Sequence, residues 1–267
     1  MKITENLRQQ NIERFETLMG QVQRKGIEDL MNYIRTETDM YEAPASSNAN
    51  FHLAVPGGLL QHSLNLYDCM LANIQYNPLW KKALENVSHE SIIITCLLHD
   101  LCKCNFYALG TKNQKNYTQD KVAKAPRWQV KHDALGDFIW ETVNCYKVED
   151  QFPLGHGEKS CLLIMQYMKL TPEEMLAIRW HMGYSMDSSQ YNTLSQALSV
   201  SDLVLAVHLC DMEASKLLEA SEGNKDVYDG ILPVTDCKAE NFSIKGQIVI
   251  ERNPTPTLFG DDDCPFI

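Results

Sequence analysis

The sequence predicts a mainly α fold: a helical bundle interrupted by a β-containing insertion and followed by a short β-type C-terminal tail. Three observations carry that expectation. Apolar residues recur at helical spacing through most of the first hundred residues and again after residue 156. Helix-start and helix-stop signals bracket several of those runs. Residues 104 to 155 lose the helical period and become polar, aromatic and β-like.

The elements follow in order. "TENLRQQNIERFETLMGQVQ" places Ile12, Phe15, Leu18 and Met19 on one helical face, with Gly20 near a break. "GIEDLMNYIRTETDMY" repeats the pattern, so 1–50 reads as an N-terminal helical extension. "APASSNANFHLAVPGG" is a loop by its Pro, Ser, Asn and Gly content. Pro56, Gly57 and Gly58 then open the helix "LLQHSLNLYDCMLANI". "SHESIIITCLLHDLCK" follows with Ser88 as its N-cap. The insertion, 104–155, contains the strand-like stretches "CNFYALG" and "CYKVEDQF". Helices resume at "GEKSCLLIMQYMK". In "TPEEMLAIRWHMG", Thr171 is the N-cap, Pro172 the first helical residue, Glu174 the partner of a capping box and Gly183 the stop. One long helix is expected over roughly 192 to 221, completing a core domain of 51–221. The remaining 222–267 holds "NFSIKGQIVIERN", which alternates like one or two short strands.

Bulk properties bound the function. A formal net charge of -11 argues against duplex nucleic acid as a general partner, because phosphate binding needs a basic surface. It leaves room for a small phosphorylated substrate held by a few local cations. No apolar run approaches the roughly 20 residues of a membrane span, and Met1–Lys2 leads into polar "ITENLRQQNIERF", unlike a signal peptide. The nine cysteines are scattered, several inside apolar helical stretches, which reads as reduced thiols in the cytoplasm. Cys102 and Cys104 lack the second pair that a zinc knuckle needs. Oligomeric state is left open.

The histidines are the chemically informative residues. His62 lies in the Gly-led helix, His99 and Asp100 end the next one, and His156 sits between two glycines at a helix start. His181 falls in the last turn of the capped helix, and Asp211 midway along the long one. Neutral imidazole and carboxylate suit divalent Mn, Fe, Ni, Co or Zn, and carboxylate suits Mg. Four histidines and two aspartates are enough donors for two such ions. Adjacent helical residues point about 100° apart, so His99 and Asp100 can share an ion only at a helix end or a distorted turn. Lys103, one turn on, is placed to lie beside them. His208, a turn before Asp211, reads as a buried support, and His52, His89 and His132 as loop, cap or surface residues.

The ordered set His62, His99–Asp100, His156, His181 and Asp211, with "GGLLQHS", "LLHDLCK" and "GHGEKS" around it, resembles the HD-domain metal-dependent phosphohydrolase superfamily over about 57 to 215. The resemblance implies an HD-domain helical bundle. It further implies that His62, His99, Asp100 and Asp211 hold one ion, that His156 and His181 hold a second, and that Asp100 bridges them. It lies with the two-metal branch, which includes cyclic-nucleotide and cyclic-dinucleotide phosphodiesterases and an exoribonuclease group. This chain departs from those relatives in its long Asp100–His156 linker and in having no OB module before the core.

The expected function is metal-dependent hydrolysis of a phosphate ester, with Asp100 and Lys103 as the catalytic residues. A hydroxide held between two ions would attack phosphorus, and the Lys103 ammonium would neutralise phosphoryl charge. Lys159 and Arg179 flank ligand positions and could meet substrate phosphate. From Lys103 to Lys131 there are seven basic residues and one acid, interleaved with Phe106, Tyr107, Tyr117 and Trp128. Cations plus stacking rings suit a nucleotide or a short single-stranded oligonucleotide, which makes Lys121, Lys124, Arg127 and Trp128 substrate-binding candidates. A solvated hairpin whose aromatic rings pack down on the core is the alternative. Two other functions use the same ligands: a mixed-valent di-iron oxygenase of the HD fold, and a metal-stabilised nucleotide-binding regulatory protein.

Overall fold

The computed structural model of the chain describes residues 3–47 and 53–219. They belong to the first of the chain's two packed units, 1–236. The expected C-terminal strands and His52 lie outside the described residues. Among the described residues, ten α-helices and three strands run in the order α1 (Glu5–Met19), α2 (Ile27–Glu37), α3 (Gly58–Tyr76), α4 (Pro78–Ala83), α5 (His89–Leu98), β1 (Tyr107–Asn116), α6 (Gln119–Lys124), β2 (Lys131–Asp133), β3 (Gly136–Val148), α7 (His156–Met165), α8 (Pro172–Trp180), α9 (Tyr191–Val200) and α10 (Asp202–Glu213). The mainly α expectation, with a β insertion, is borne out.

Local chemistry accounts for several helix starts. Thr4 accepts from the Leu7 amide to open α1, and Ser88 accepts from the Ser91 amide to open α5. The Thr171 capping box at α8 is complete: the hydroxyl accepts from Glu174 N, and the Glu174 carboxylate accepts from Thr171 N. That glutamate also accepts from Arg24 and from the Ser91 hydroxyl, tying the segment after α1 and the start of α5 to α8.

Most of the core is one apolar cluster, with Trp180, Leu194, Ala197 and Val204 forming a second, smaller one. Phe15, Leu30 and Ile34 from α1 and α2 pack with Leu59, Leu64, Ile93 and Leu97 from α3 and α5, and with Ala177, Leu203 and Val207 from α8 and α10. α3 lies against α5 and α10, and α8 against α7 and α10. No single helix among the described residues is long and apolar enough to cross a membrane.

The expected long helix of 192 to 221 is instead two, bent by 110°. Ser201 is extended (φ -146°, ψ 125°) and its hydroxyl accepts from Leu203 N, so it ends α9 and caps α10. "SVSDL" thus contains an N-cap serine followed by a first-turn acid, a start signal hidden inside continuous apolar periodicity. After α10 the winding widens to a π-helical segment, Ala214–Leu218.

The insertion is an antiparallel sheet of order β1-β3-β2. Tyr107 pairs with Val148 at its base and Asn116 with Ile139 at its far end. At about 3.4 Å per residue, some 30 Å of ladder separates base from tip.

Candidate metal centre

Five separate pieces of backbone deliver the six predicted ligands. His62 projects from the buried second turn of α3. His99 is the C-cap of α5. Asp100 leaves the helix (φ -105°, ψ 19°) and begins a 3₁₀ turn, Leu101–Lys103. That break at a helix end is what lets adjacent residues face one place. His156 starts α7, His181 is the C-cap of α8, and Asp211 lies in the last turn of α10, where the second helix break puts it, and not midway along a longer helix.

Two glycines make the convergence possible. A Cβ on Gly157 would sit 2.4 Å from the Arg179 carbonyl oxygen and 2.5 Å from that of Ile178. Only glycine lets the start of α7 lie against the end of α8, which sets the His156 and His181 rings 5.4 Å apart. Gly183 takes the left-handed conformation (φ 56°), and the His208 ring occupies the space its side chain would need. The His208 Nδ1 bonds the His181 carbonyl oxygen at 2.7 Å, the supporting role expected of it.

The Asp100 carboxylate divides the cluster in two. Its Oδ2 faces His99 Nε2 at 3.3 Å and His62 Nε2 at 3.8 Å. Its Oδ1 faces His156 Nε2 at 2.8 Å and His181 Nε2 at 3.4 Å. Asp211 joins the first side, its Oδ1 lying 3.1 Å from His62 Nε2. Lys103 Nζ donates to Asp100 Oδ2 at 2.6 Å. His62, His99, Asp100 and His181 are buried; His156 and Asp211 are the ligand candidates with accessible side-chain surface.

These residues suit a metal ion on their own chemistry. His99 donates its Nδ1–H to Cys96 O at 2.9 Å, and His181 donates its Nδ1–H to Ile178 O at 2.7 Å. A carbonyl only accepts, so in the neutral form of each ring Nε2 carries the lone pair. Both Nε2 atoms are buried and have no hydrogen-bond partner among the described residues. An unmatched buried polar atom costs about 1–3 kcal/mol, and here two lone pairs point at carboxylate oxygens that also repel them. A cation between lone pair and carboxylate turns that repulsion into coordination. Nδ1 bonded to a carbonyl is the usual support of a metal-bound histidine.

Charge leads to the same place. Glu219, just past the π-helical segment, bonds His62 Nδ1 at 3.0 Å and accepts from Asn65 Nδ2 at 2.9 Å. Asp100, Asp211 and Glu219 are three carboxylates facing the Lys103 ammonium and the His62 ring in a largely buried site. Burial pushes the Asp100 carboxyl up, but Lys103 and the surrounding histidines outweigh it and hold it well below the usual range. Burial acts on Asp211 in the same sense and is outweighed by His62. Burial pulls the His62 imidazolium down, yet the carboxylates of Glu219 and Asp211 raise it to about 10. Burial depresses His99, which favours its neutral, ligating form. Burial likewise works against the Lys103 ammonium, and Asp100 beside it more than compensates.

The other predicted substrate contacts are placed differently. Lys159 is buried, paired with Asp150 Oδ1 at 2.6 Å and lying over the Phe106 ring. Arg179 pairs with Glu158, donates to Gln190 and stacks over Trp180. Lys121 pairs with Glu141 at 2.6 Å, while Lys124, Arg127 and Trp128 are exposed. These last four are carried at the far end of the ladder, whereas its base adjoins Lys103 through Phe106 and Tyr107. Phe138 is buried against Tyr117 and Trp140, so part of the insertion's aromatic content packs within the sheet. His89 bonds the Tyr67 hydroxyl, and His132 pairs with Asp137 at the surface.

Two residues that spacing did not single out belong to the site. Glu219 follows a π-helical turn that has no sequence signal. Cys102 follows Asp100 by two residues, and its sulfur lies 3.3 Å from His156 Nδ1; burial pushes its thiol up to about 12. Comparison with protein-family models, with curated proteins and with solved structures gives no match.

Proposed function

We propose that the chain is a metal-dependent phosphohydrolase of the HD type, acting on a phosphodiester or nucleotide, with a short single-stranded oligonucleotide as the extended substrate. The observation that carries this reading is the division of one carboxylate between two histidine pairs: His62 and His99 on Oδ2, His156 and His181 on Oδ1. That is the arrangement expected of a carboxylate shared by two cations, with Asp211 completing the first set. When bound, a divalent pair supplies an ionised water near neutral pH and neutralises phosphoryl oxygens.

The chain's own residues do the rest. His99 and His181 are held in their ligating tautomer by backbone carbonyls, so no reorganisation is needed when metal binds. Lys103 keeps Asp100 ionised and stands one hydrogen bond from the shared carboxylate, where its ammonium can also attract a phosphoryl oxygen. The exposed edges of His156 and Asp211 orient the approach of substrate.

The test is a two-variant comparison on the full chain, reconstituted separately with Mn, Co, Zn, Fe(II) and Mg and assayed on bis-p-nitrophenyl phosphate and a nucleotide panel. Asp100→Ala should lose both metal and turnover. Lys103→Ala should retain metal and lose about 10²–10³-fold in kcat, the range for one charged transition-state donor. Full activity in Asp100→Ala would refute the reading, and oxygen consumption with iron alone and no phosphoester turnover would replace it with the oxygenase chemistry.

A further inference from the structure

The side of the cluster built on Asp100 Oδ1 has a donor that imidazole–carboxylate chemistry does not require. Cys102 is buried, and its sulfur lies 3.3 Å from His156 Nδ1 and 3.7 Å from His156 Nε2. A ligand atom from each of Asp100, Cys102 and His156 lies within 4.8 Å of the others. The position is fixed by the backbone, since the Cys102 amide donates to the Ser160 hydroxyl at 3.0 Å and Ser160 is buried on α7. Independently, His181 Nε2 is fully buried, has no hydrogen-bond partner among the described residues and points at the same Asp100 oxygen from 3.4 Å. Three donors of three kinds therefore lie together, a carboxylate oxygen, an imidazole and a sulfur, and the His181 imidazole faces the same carboxylate oxygen.

We propose that Cys102 is a thiolate ligand to the ion held by Asp100, His156 and His181, which makes that half of the centre a soft, zinc- or ferrous-selective site. The inference rests on the metal-centre reading above and deepens it. Tetrahedral bonds of about 2.0 Å to nitrogen or oxygen and about 2.3 Å to sulfur place neighbouring ligand atoms roughly 3.3–3.5 Å apart. The His181 Nε2–Oδ1 separation of 3.4 Å falls within that range, and the Cys102 Sγ–His156 Nε2 and His156 Nε2–Oδ1 separations of 3.7 and 2.8 Å lie on either side of it. On binding, the thiol gives its proton to solvent and its sulfur forms the new bond; no oxidant or reductant is consumed. Thiolate favours zinc and iron, whereas magnesium and manganese favour oxygen. The Oδ2 side, with His62, His99 and Asp211, has only nitrogen and oxygen donors among the residues described around it. The two halves would then differ in metal preference, a hard-leaning position and a soft one sharing Asp100.

Cobalt(II) reads this directly. The metal-stripped full chain is titrated with Co(II) alone, and the absorption spectrum is followed together with the cobalt content. A thiolate-to-cobalt charge-transfer band in the near ultraviolet should appear in the native chain. It should vanish in Cys102→Ser, which keeps the size and leaves the Ser160 contact, made by the backbone amide, in place. It should persist in Cys104→Ser, whose sulfur lies against Met40 and not against the cluster. Cys102→Ser should also weaken Zn(II) binding at one site by about ten-fold or more, at least the loss seen on removing an outer-shell partner, with manganese affinity nearly unchanged. Cobalt bound without the band, or a band that survives Cys102→Ser, overturns the inference and leaves Cys102 as a hydrogen-bonding neighbour of His156, with the metal centre itself intact. Failure of the native chain to bind cobalt at all overturns the metal-centre reading beneath it.

Discussion

An imidazole that donates Nδ1–H to a backbone carbonyl can only accept at Nε2, and at His99 and His181 nothing among the described residues donates there. Both arrangements come from the same local geometry. Each histidine is the C-cap of its helix and bonds the carbonyl three residues earlier, an acceptor left over at a helix end. The helix terminus thus selects the tautomer as well as the position. His62 is oriented differently, by a carboxylate: Glu219 accepts a hydrogen bond from its Nδ1–H and so raises the basicity of Nε2 as a ligand. Glu219→Gln should therefore weaken metal binding about 10–100-fold while leaving the ligands in place, measured by competition with a chromophoric chelator. Unchanged affinity would mean that the Glu219 charge does not support the centre.

At the scale of elements, the site is assembled from helix ends. α5, α7 and α8 each present a ligand at a terminus, and Gly157 permits the α7–α8 approach that pairs two of them. Glu174 shows how one residue can serve two levels: its capping-box role was readable from "TPEE", but its bonds to Arg24 and Ser91 join three distant segments and were not. The hairpin carries its exposed cations about 30 Å of strand from its base, so a mononucleotide is too short to touch both the tip and the metal cluster if the ladder extends away from it. Replacing Lys121, Lys124 and Arg127 together by Ala should then raise KM for an oligonucleotide, reduce its salt dependence and leave p-nitrophenyl phosphate and mononucleotide kinetics unchanged. Equal effects on all substrates would place the tip over the cluster, and no effect on any would make the tip a solvated surface.

Across the whole molecule, polar groups from α3, α5, α7, α8 and α10 meet at a single buried cluster, and its protonation is linked to stability. His62 has a folded-state pKa of about 10 against roughly 6.5 unfolded. A raised pKa means its contribution is complete below about pH 6.5 and is lost as pH rises through about 10. In chelator-treated protein, Tm should fall across that window, and it should fall less steeply in His62→Gln. Saturating metal should remove the difference in slope, because a bound cation replaces the proton, and should raise Tm by mass action. Parallel slopes for the two chelated proteins would show that His62 is not the linked group.

Much of this molecule was legible in one dimension because the signals are local. Apolar periodicity marks α1, α2, α3 and α5; Ser88 and Thr171–Glu174 mark helix starts; the change of period after residue 104 marks the sheet. The candidate residues could be named because imidazole and carboxylate are unusual on apolar helices. Other features needed three dimensions. The break at Ser201 was masked by uninterrupted apolar spacing, and it decides where along its helix Asp211 stands. Cys102 and Glu219 enter the site through proximity alone, one by the turn after Asp100 and the other past a π-helical segment. The split of Asp100 between two histidine pairs is also a tertiary fact. Spacing along a chain says which residue types are present, whereas the direction of each lone pair is set by how helix ends pack, and it is that direction which makes polar residues a site for a cation.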